Sequence, residues 1–100
     1  MGATKTEYRR DNLRRACSRL GITVDRFFEL IEEQDNCCAI CGNVFEEATG
    51  RNKTAAIDHC HKTGKVRGLL CGKCNTALGL LNDNIELFYS AIRYLKEHSE

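Results

Sequence analysis

Apolar residues recur at helical spacing near the start of the chain. Tyr8, Leu13, Ala16, Cys17 and Leu20 share one side of a helix predicted over residues 6–20, and Gly21 supplies its stop. Thr23 is placed to cap a second helix whose expected buried stripe is Val24, Phe27, Phe28 and Ile31, ending at Asp35 and Asn36. Residues 37–53 hold little periodicity and read as a turn-rich loop. Two short apolar runs follow, TAAID (54–58) and VRGLL (66–70), with Lys62-Thr63-Gly64-Lys65 between them as turn chemistry. They predict two strands of a hairpin with an irregular connection. NTALGLL (75–81) suits a short helix, interrupted near Asn82–Asn84. A last helix is capped by Asp83 or Asn84, with Glu86 three residues after Asp83 as in a capping box; its stripe is Ile85, Phe88, Ala91, Ile92 and Leu95. The order is helix, helix, loop, strand, strand, helix, helix, an α+β pattern.

With 100 residues and 42% hydrophobic content, the chain is expected to form one small domain that needs a staple beyond apolar burial. Its opening residues, MGATKTEYRRDNLRRACSRL, are charged rather than apolar, so no export signal is read there. Gly2 and Thr6 match a myristoylation pattern only weakly. No run approaches the ~18 apolar residues of a membrane span. Seven cysteines is an odd number, which argues against a closed disulfide framework. Cysteine pairs without an export signal point to a metal in a reducing compartment, and so to the cytoplasm.

Two pairs have metal-ligand spacing: Cys38-Ala-Ile-Cys41 and Cys71-Gly-Lys-Cys74, separated by 29 residues. Each lets two thiolates take adjacent corners of a tetrahedron, and together they make a closed four-sulfur zinc site of structural role. Cys37 competes with Cys38 in principle, but only Cys38 reproduces the two-residue spacing of the second pair. Cys17 lies on a helix stripe and reads as a small buried apolar residue. Cys60 reads as a packed side chain, since strand alternation sends it away from His59 and His61.

The insert between the two pairs carries most of the polar information. Asp58, His59 and His61 cluster at the end of the first strand. A carboxylate there can give a hard oxygen ligand to magnesium while a neighbouring imidazole acts as base. Asn75, next to Cys74, can bring a second oxygen to the same ion. The plainer alternative makes Asp58–His59 a salt-bridged turn and Asn75 an N-cap. His98 lies apart. Net charge is +1 but uneven: residues 1–26 sum to +4, residues 29–47 to −6 and residues 51–73 to +5. Lys62, Lys65, Arg67 and Lys73 surround the candidate cluster, a distribution suited to phosphate backbones or to an ordinary solvated surface.

The stretch IDHCHKTGKVRGLLCGKCNTALGLLNDN, with CCAICG upstream, resembles the recombination endonuclease VII family of His-Asn-His (HNH) nucleases. The match is good over about residues 37–84, and GITVDRFFELIEEQDNCCAIC resembles the helical approach of many members. The resemblance implies a small zinc-stapled domain over residues 1–100. It would have a helical part (1–36), a ββα-metal or His-Me finger core (37–84) and a C-terminal helix (85–100). Cys38, Cys41, Cys71 and Cys74 would hold Zn²⁺; Asp58 and Asn75 would hold catalytic Mg²⁺ or Mn²⁺. His59 would be the general base, His61 a phosphate contact, and Arg67 a residue that positions phosphates or stabilises the fold. DNA is the implied partner, with a 5′-phosphate and a 3′-hydroxyl as products; a homodimer is compatible but not required. Three departures bear on activity. Leu78 stands where the family's resolving enzyme has an acidic residue, Cys60 replaces an aspartate, and the long dimerising C-terminal region is not matched. They weigh against junction resolution more than against phosphodiester hydrolysis. The alternative is a zinc-dependent nucleic-acid-binding module without catalysis.

Overall fold

The computed structural model describes residues 10–46 and 54–99. Four helices and one two-stranded sheet follow in the order α1 (Arg10–Leu20), α2 (Val24–Glu33), β1 (Ala55–His59), β2 (Val66–Cys71), α3 (Gly72–Leu80) and α4 (Ile85–Glu97). The expected start of the first helix at residues 6–9, Tyr8 included, lies outside the described residues, as does the loop over 47–53.

Helix α2 begins as expected, with Thr23 Oγ1 accepting the Arg26 amide at 3.0 Å. Its inward face differs from the expected stripe. Phe27 and Leu30 are buried and Ile31 partly so, while Phe28 is 41% exposed and meets Phe27 edge-on. Val24, Phe27 and Ile31 face inward as expected, and Leu30 and Gln34 complete the stripe in place of Phe28. It ends in a polar side chain because that position faces backbone rather than apolar side chains. Gln34 Nε2 donates to the carbonyls of Cys37 and Leu69 at 2.8 and 2.9 Å, and its Oε1 accepts the Leu69 amide at 3.0 Å. The glutamine therefore pairs with β2 as a neighbouring strand would. Gly68 makes room for it: a Cβ there would lie 3.2 Å from Gln34 Oε1.

Strands β1 and β2 pair antiparallel from Ala55↔Cys71 to Asp58↔Gly68, and then the register shifts so that His59 faces Val66. Arg67 is the extra residue of this bulge. In an unbroken ladder it would lie opposite His59, on the face away from Asp58; the bulge re-aims it. The core joins Leu13 and Cys17 of α1 and Phe27 and Leu30 of α2 to Phe45, Leu69 and Leu70. Cys17, 1% exposed, behaves as the buried apolar residue expected of it, and burial pushes its thiol pKa up.

Helix α3 starts earlier than the sequence suggests. Cys71 is its N-cap, so Asn75 lies inside the first turns and is not the cap of the plainer reading. Between α3 and α4, Asn82 and Asp83 both take the left-handed conformation, with φ +56° and +55°. Asn84 alone caps α4, its Oδ1 accepting the amides of Glu86 and Leu87 at 2.9 and 3.4 Å. The Asp83–Glu86 box is thus replaced, which leaves the Asp83 carboxylate for another use. The apolar stripe of α4 is present but not covered: no α4 residue is buried, and Ile85 and Leu95 are about two-thirds exposed.

Candidate metal and active site

Both cysteine pairs sit where the chain changes direction. Cys38 and Cys41 bracket a tight turn closed by the Gly42 amide on the Cys38 carbonyl at 3.0 Å, and Gly42 follows with φ +77°. A side chain would be strained at that φ, so glycine suits the exit from the turn. Cys71 ends β2 and Cys74 lies in the first turn of α3. One strand-to-helix junction therefore aims two sulfurs at the turn that holds the other two. The four sulfurs lie within 4.8 Å of one another, and Cys41 Sγ is 3.8 Å from Cys71 Sγ. A tetrahedron with metal–sulfur bonds of about 2.3 Å has edges of about 3.8 Å, so the set fits a structural metal ion such as zinc.

The thiols also act on one another. Burial pushes Cys38 up, but the amides of Cys71, Cys41 and Ile40 outweigh it and bring its pKa down to about 6. The Ile40 amide lies 3.4 Å from its sulfur. Cys74 is pushed up to about 12, first by burial and then by the three sulfurs around it. Cys37 stays outside the cluster, its Sγ donating to the Asp35 carbonyl at 3.2 Å. Cys60 also stays outside and is half-buried; the Thr63 hydroxyl, followed by the amides of Thr63 and Lys62, lowers its thiol pKa.

Beside this cluster lies a cleft of about 210 Å³ lined by Ile57, Asp58, His59, His61, Asn75, Leu78, Gly79 and Asp83. Asp58 and His59 come from the end of β1, His61 from the connection, and Asn75 from the residue after Cys74 in α3. The two imidazole rings are 5.2 Å apart at 62°. All four residues that the sequence singled out thus share one cleft. Leu78 and Gly79 make part of its α3 side apolar.

Two features were not anticipated. Asp58, 7% exposed, is gripped at both oxygens by Arg67: Nε to Oδ2 at 2.7 Å and Nη2 to Oδ1 at 3.0 Å. Its salt bridge is with Arg67, nine residues on, and not with His59. The hydrogen bonds that Arg67 donates to Asp58 raise its pKa beyond the usual value, against the smaller opposing effect of burial. The second feature is Asp83, whose Oδ2 lies 3.4 Å from Arg67 Nη2 and 3.8 Å from His61 Nδ1. The Asn82-Asp83 pair was the available signal, since these two residue types enter the left-handed region more readily than other side chains. Lys62, Lys65 and Lys73 are exposed.

The oxygen donors of the cleft are hard, two carboxylates and an amide oxygen, and the imidazoles beside them are intermediate. They fit an oxygen-seeking divalent ion rather than a thiophilic one. The chain is a small α+β protein in which four cysteines that could hold a metal lie beside an acid- and histidine-lined cleft. The family model for recombination endonuclease VII matches residues 13–97, and the chain belongs to that family. It is 45% identical over 82 residues to the gene 59 protein of Mycobacterium phage L5, covering 81% of this chain and 48% of that protein. The gene 59 protein of Mycobacterium phage D29 is 42% identical over 84 residues, covering 83% and 48%. The chain thus spans about half the length of these relatives. No solved structure matches it. Among the described residues, no helix is long and apolar enough to cross a membrane.

Proposed function

We propose that the protein is a metal-dependent DNA endonuclease of the HNH type, with β1, β2 and α3 as a ββα-metal core within residues 37–84. The observation that carries this reading is the meeting of Asp58, His59, His61 and Asn75 on one cleft. Asp58 and Asn75 are the residues to hold Mg²⁺ or Mn²⁺. When bound, such an ion stabilises the negative charge that develops on the phosphate and leaving oxygens. An unprotonated ring nitrogen of His59 takes the proton from the attacking water. Imidazole is the side chain most often used as a general base. His61 stands beside it to contact the phosphate. Lys62, Lys65 and Lys73 hold backbone phosphates with little base readout, so binding weakens with salt.

Zinc in the four-cysteine cluster is the staple of this core. It fixes Cys74, and Asn75 follows in the same helical turn, so one metal positions a ligand of the other. The substrate is DNA and the expected products carry a 5′-phosphate and a 3′-hydroxyl. The setting is the cytoplasm of a bacterial cell or of a phage-infected host.

The test is nicking of supercoiled plasmid with Mg²⁺ or Mn²⁺. His59→Ala is expected to lose about 10²–10⁴-fold in rate, the usual contribution of a general base. Equal rates in both proteins would overturn the assignment. The two-point grip of Arg67 on Asp58 favours one other reading, a zinc-stapled DNA-binding module without catalysis. Retention of DNA without metal-dependent cleavage of any DNA form would establish it.

A further inference from the structure

Arg67 places a positive charge where the proposed site needs a divalent one. Its guanidinium takes both oxygens of Asp58, at 2.7 and 3.0 Å, and reaches Asp83 Oδ2 at 3.4 Å with the same Nη2 that serves Asp58. The two carboxylates differ in setting. The Asp58 side chain is 10% exposed and that of Asp83 21%, while the Arg67 side chain is 38% exposed. A carboxylate as buried as Asp58 is costly without a partner, so something positive must accompany it in the ion-free protein. A guanidinium and a divalent ion on one carboxylate repel each other, so arrival of the ion favours departure of the arginine.

We propose that Arg67 holds the cation position of the cleft until a divalent ion arrives, and that Asp83 receives the guanidinium when the ion takes Asp58. The inference rests on the reading of Asp58 as an ion ligand and adds how that ligand is kept and released. Three features make the exchange a local one. Arg67 is the bulged residue of β2, outside the regular pairing, so its side chain moves without disturbing the ladder. The Asp83 contact is already made, so the transfer needs a side-chain rotation only. Asp83 is also spare: Asn84 caps α4 without it, and its other neighbour is the His61 ring at 3.8 Å. Arg67 and Asp83 are therefore positioning residues that set how readily Asp58 takes the ion.

The experiment is Mn²⁺ binding to the zinc-loaded full chain, followed by titration calorimetry. It uses Arg67→Gln, Asp83→Asn, the double variant and Asp58→Asn, each checked for zinc content and circular dichroism. Arg67→Gln is expected to tighten Mn²⁺ about fivefold or more, and Asp83→Asn to weaken it by a similar factor, within the usual range of coupling between two ligands. In the double variant the effect of Asp83→Asn should vanish, because no guanidinium remains to be received. An equal loss from Asp83→Asn in both backgrounds would make Asp83 a direct ligand and overturn the exchange. So would unchanged or weaker binding by a folded Arg67→Gln protein. If that variant does not fold, Arg67→Lys replaces the two-point grip by a single contact; it should also tighten Mn²⁺, and failure to do so counts against the proposal equally. Wild-type affinity in Asp58→Asn would instead remove the underlying reading of the site.

Discussion

Gln34→Ala should destabilise the protein far more than a half-buried polar residue ordinarily would. The side chain satisfies three backbone groups: the Leu69 amide at 3.0 Å, the Leu69 carbonyl at 2.9 Å and the Cys37 carbonyl at 2.8 Å. Leu69 is 0% exposed, so its amide has no water to turn to once the glutamine is gone. Stranding one buried donor costs about 1–3 kcal/mol. The Leu69 carbonyl keeps the Ala39 amide at 3.2 Å, and the half-buried Cys37 is open to water, so these two losses add about 1 kcal/mol together. The expected total is about 2–4 kcal/mol, a large share of the ~5–15 kcal/mol that holds a domain together. Urea unfolding followed by circular dichroism measures it, at one fixed free zinc concentration because a bound metal contributes by mass action. The midpoint should fall with an unchanged slope. Gln34→Glu keeps the oxygen for the Leu69 amide but turns a second oxygen toward two carbonyls, so it should be no milder despite its shape. A loss below about 0.5 kcal/mol for Gln34→Ala would mean that β2 satisfies its edge without the side chain, and the account of α2 as its partner would fall.

Cys71→Ser removes a sulfur and nothing else that α3 relies on, since Cys71 makes no side-chain cap bond and serine suits an N-cap; bound zinc by atomic absorption and the cooperative thermal transition should both be lost, as they should with a strong chelator on the wild type. Survival of both would mean that the four-sulfur set is wrong. Replacing Lys62 and Lys65 with alanine should weaken DNA binding uniformly across sequences, with the salt slope shallower by about 2; an unchanged slope would place the phosphate contacts elsewhere. Asn84→Ala loses the acceptor of two amides, worth about 1 kcal/mol to the helix. Since no α4 residue is buried, the effect should appear as faster hydrogen exchange in α4 with little change in the global midpoint. Uniform loss of protection would show instead that α4 unfolds with the core.

The four-cysteine cluster and the candidate site thus share one structural element. Strand β2 carries Arg67 at its bulge, Leu69 under Gln34 and Cys71 at its end, and α3 continues directly into Cys74 and Asn75. Any change that loosens β2 reaches both the sulfur cluster and the cleft.

Much of this was legible in the residues because it depends on near neighbours. The Thr23 cap, the Gly21 stop, the two strands and the two-residue cysteine spacing are set within a few positions along the chain, where geometry follows from residue type. The choice of Cys38 over Cys37 followed the same logic, and the cluster agrees with it. The clustering of Asp58, His59 and His61 was likewise local, and Asn75 joined them because it is bound to a residue with an address of its own, Cys74. What only the tertiary structure decided were pairings between distant segments. Which face of α2 is buried depended on what β2 offered, and the answer was a backbone edge that a glutamine can match. Whether α4's stripe is covered depended on the rest of the fold, and it is not. The bulge at Arg67 and the left-handed turn at Asp83 brought an arginine and a second carboxylate to Asp58 from nine and twenty-five residues away. No periodicity encodes such a meeting, because charge pairing acts through space and is indifferent to position along the chain.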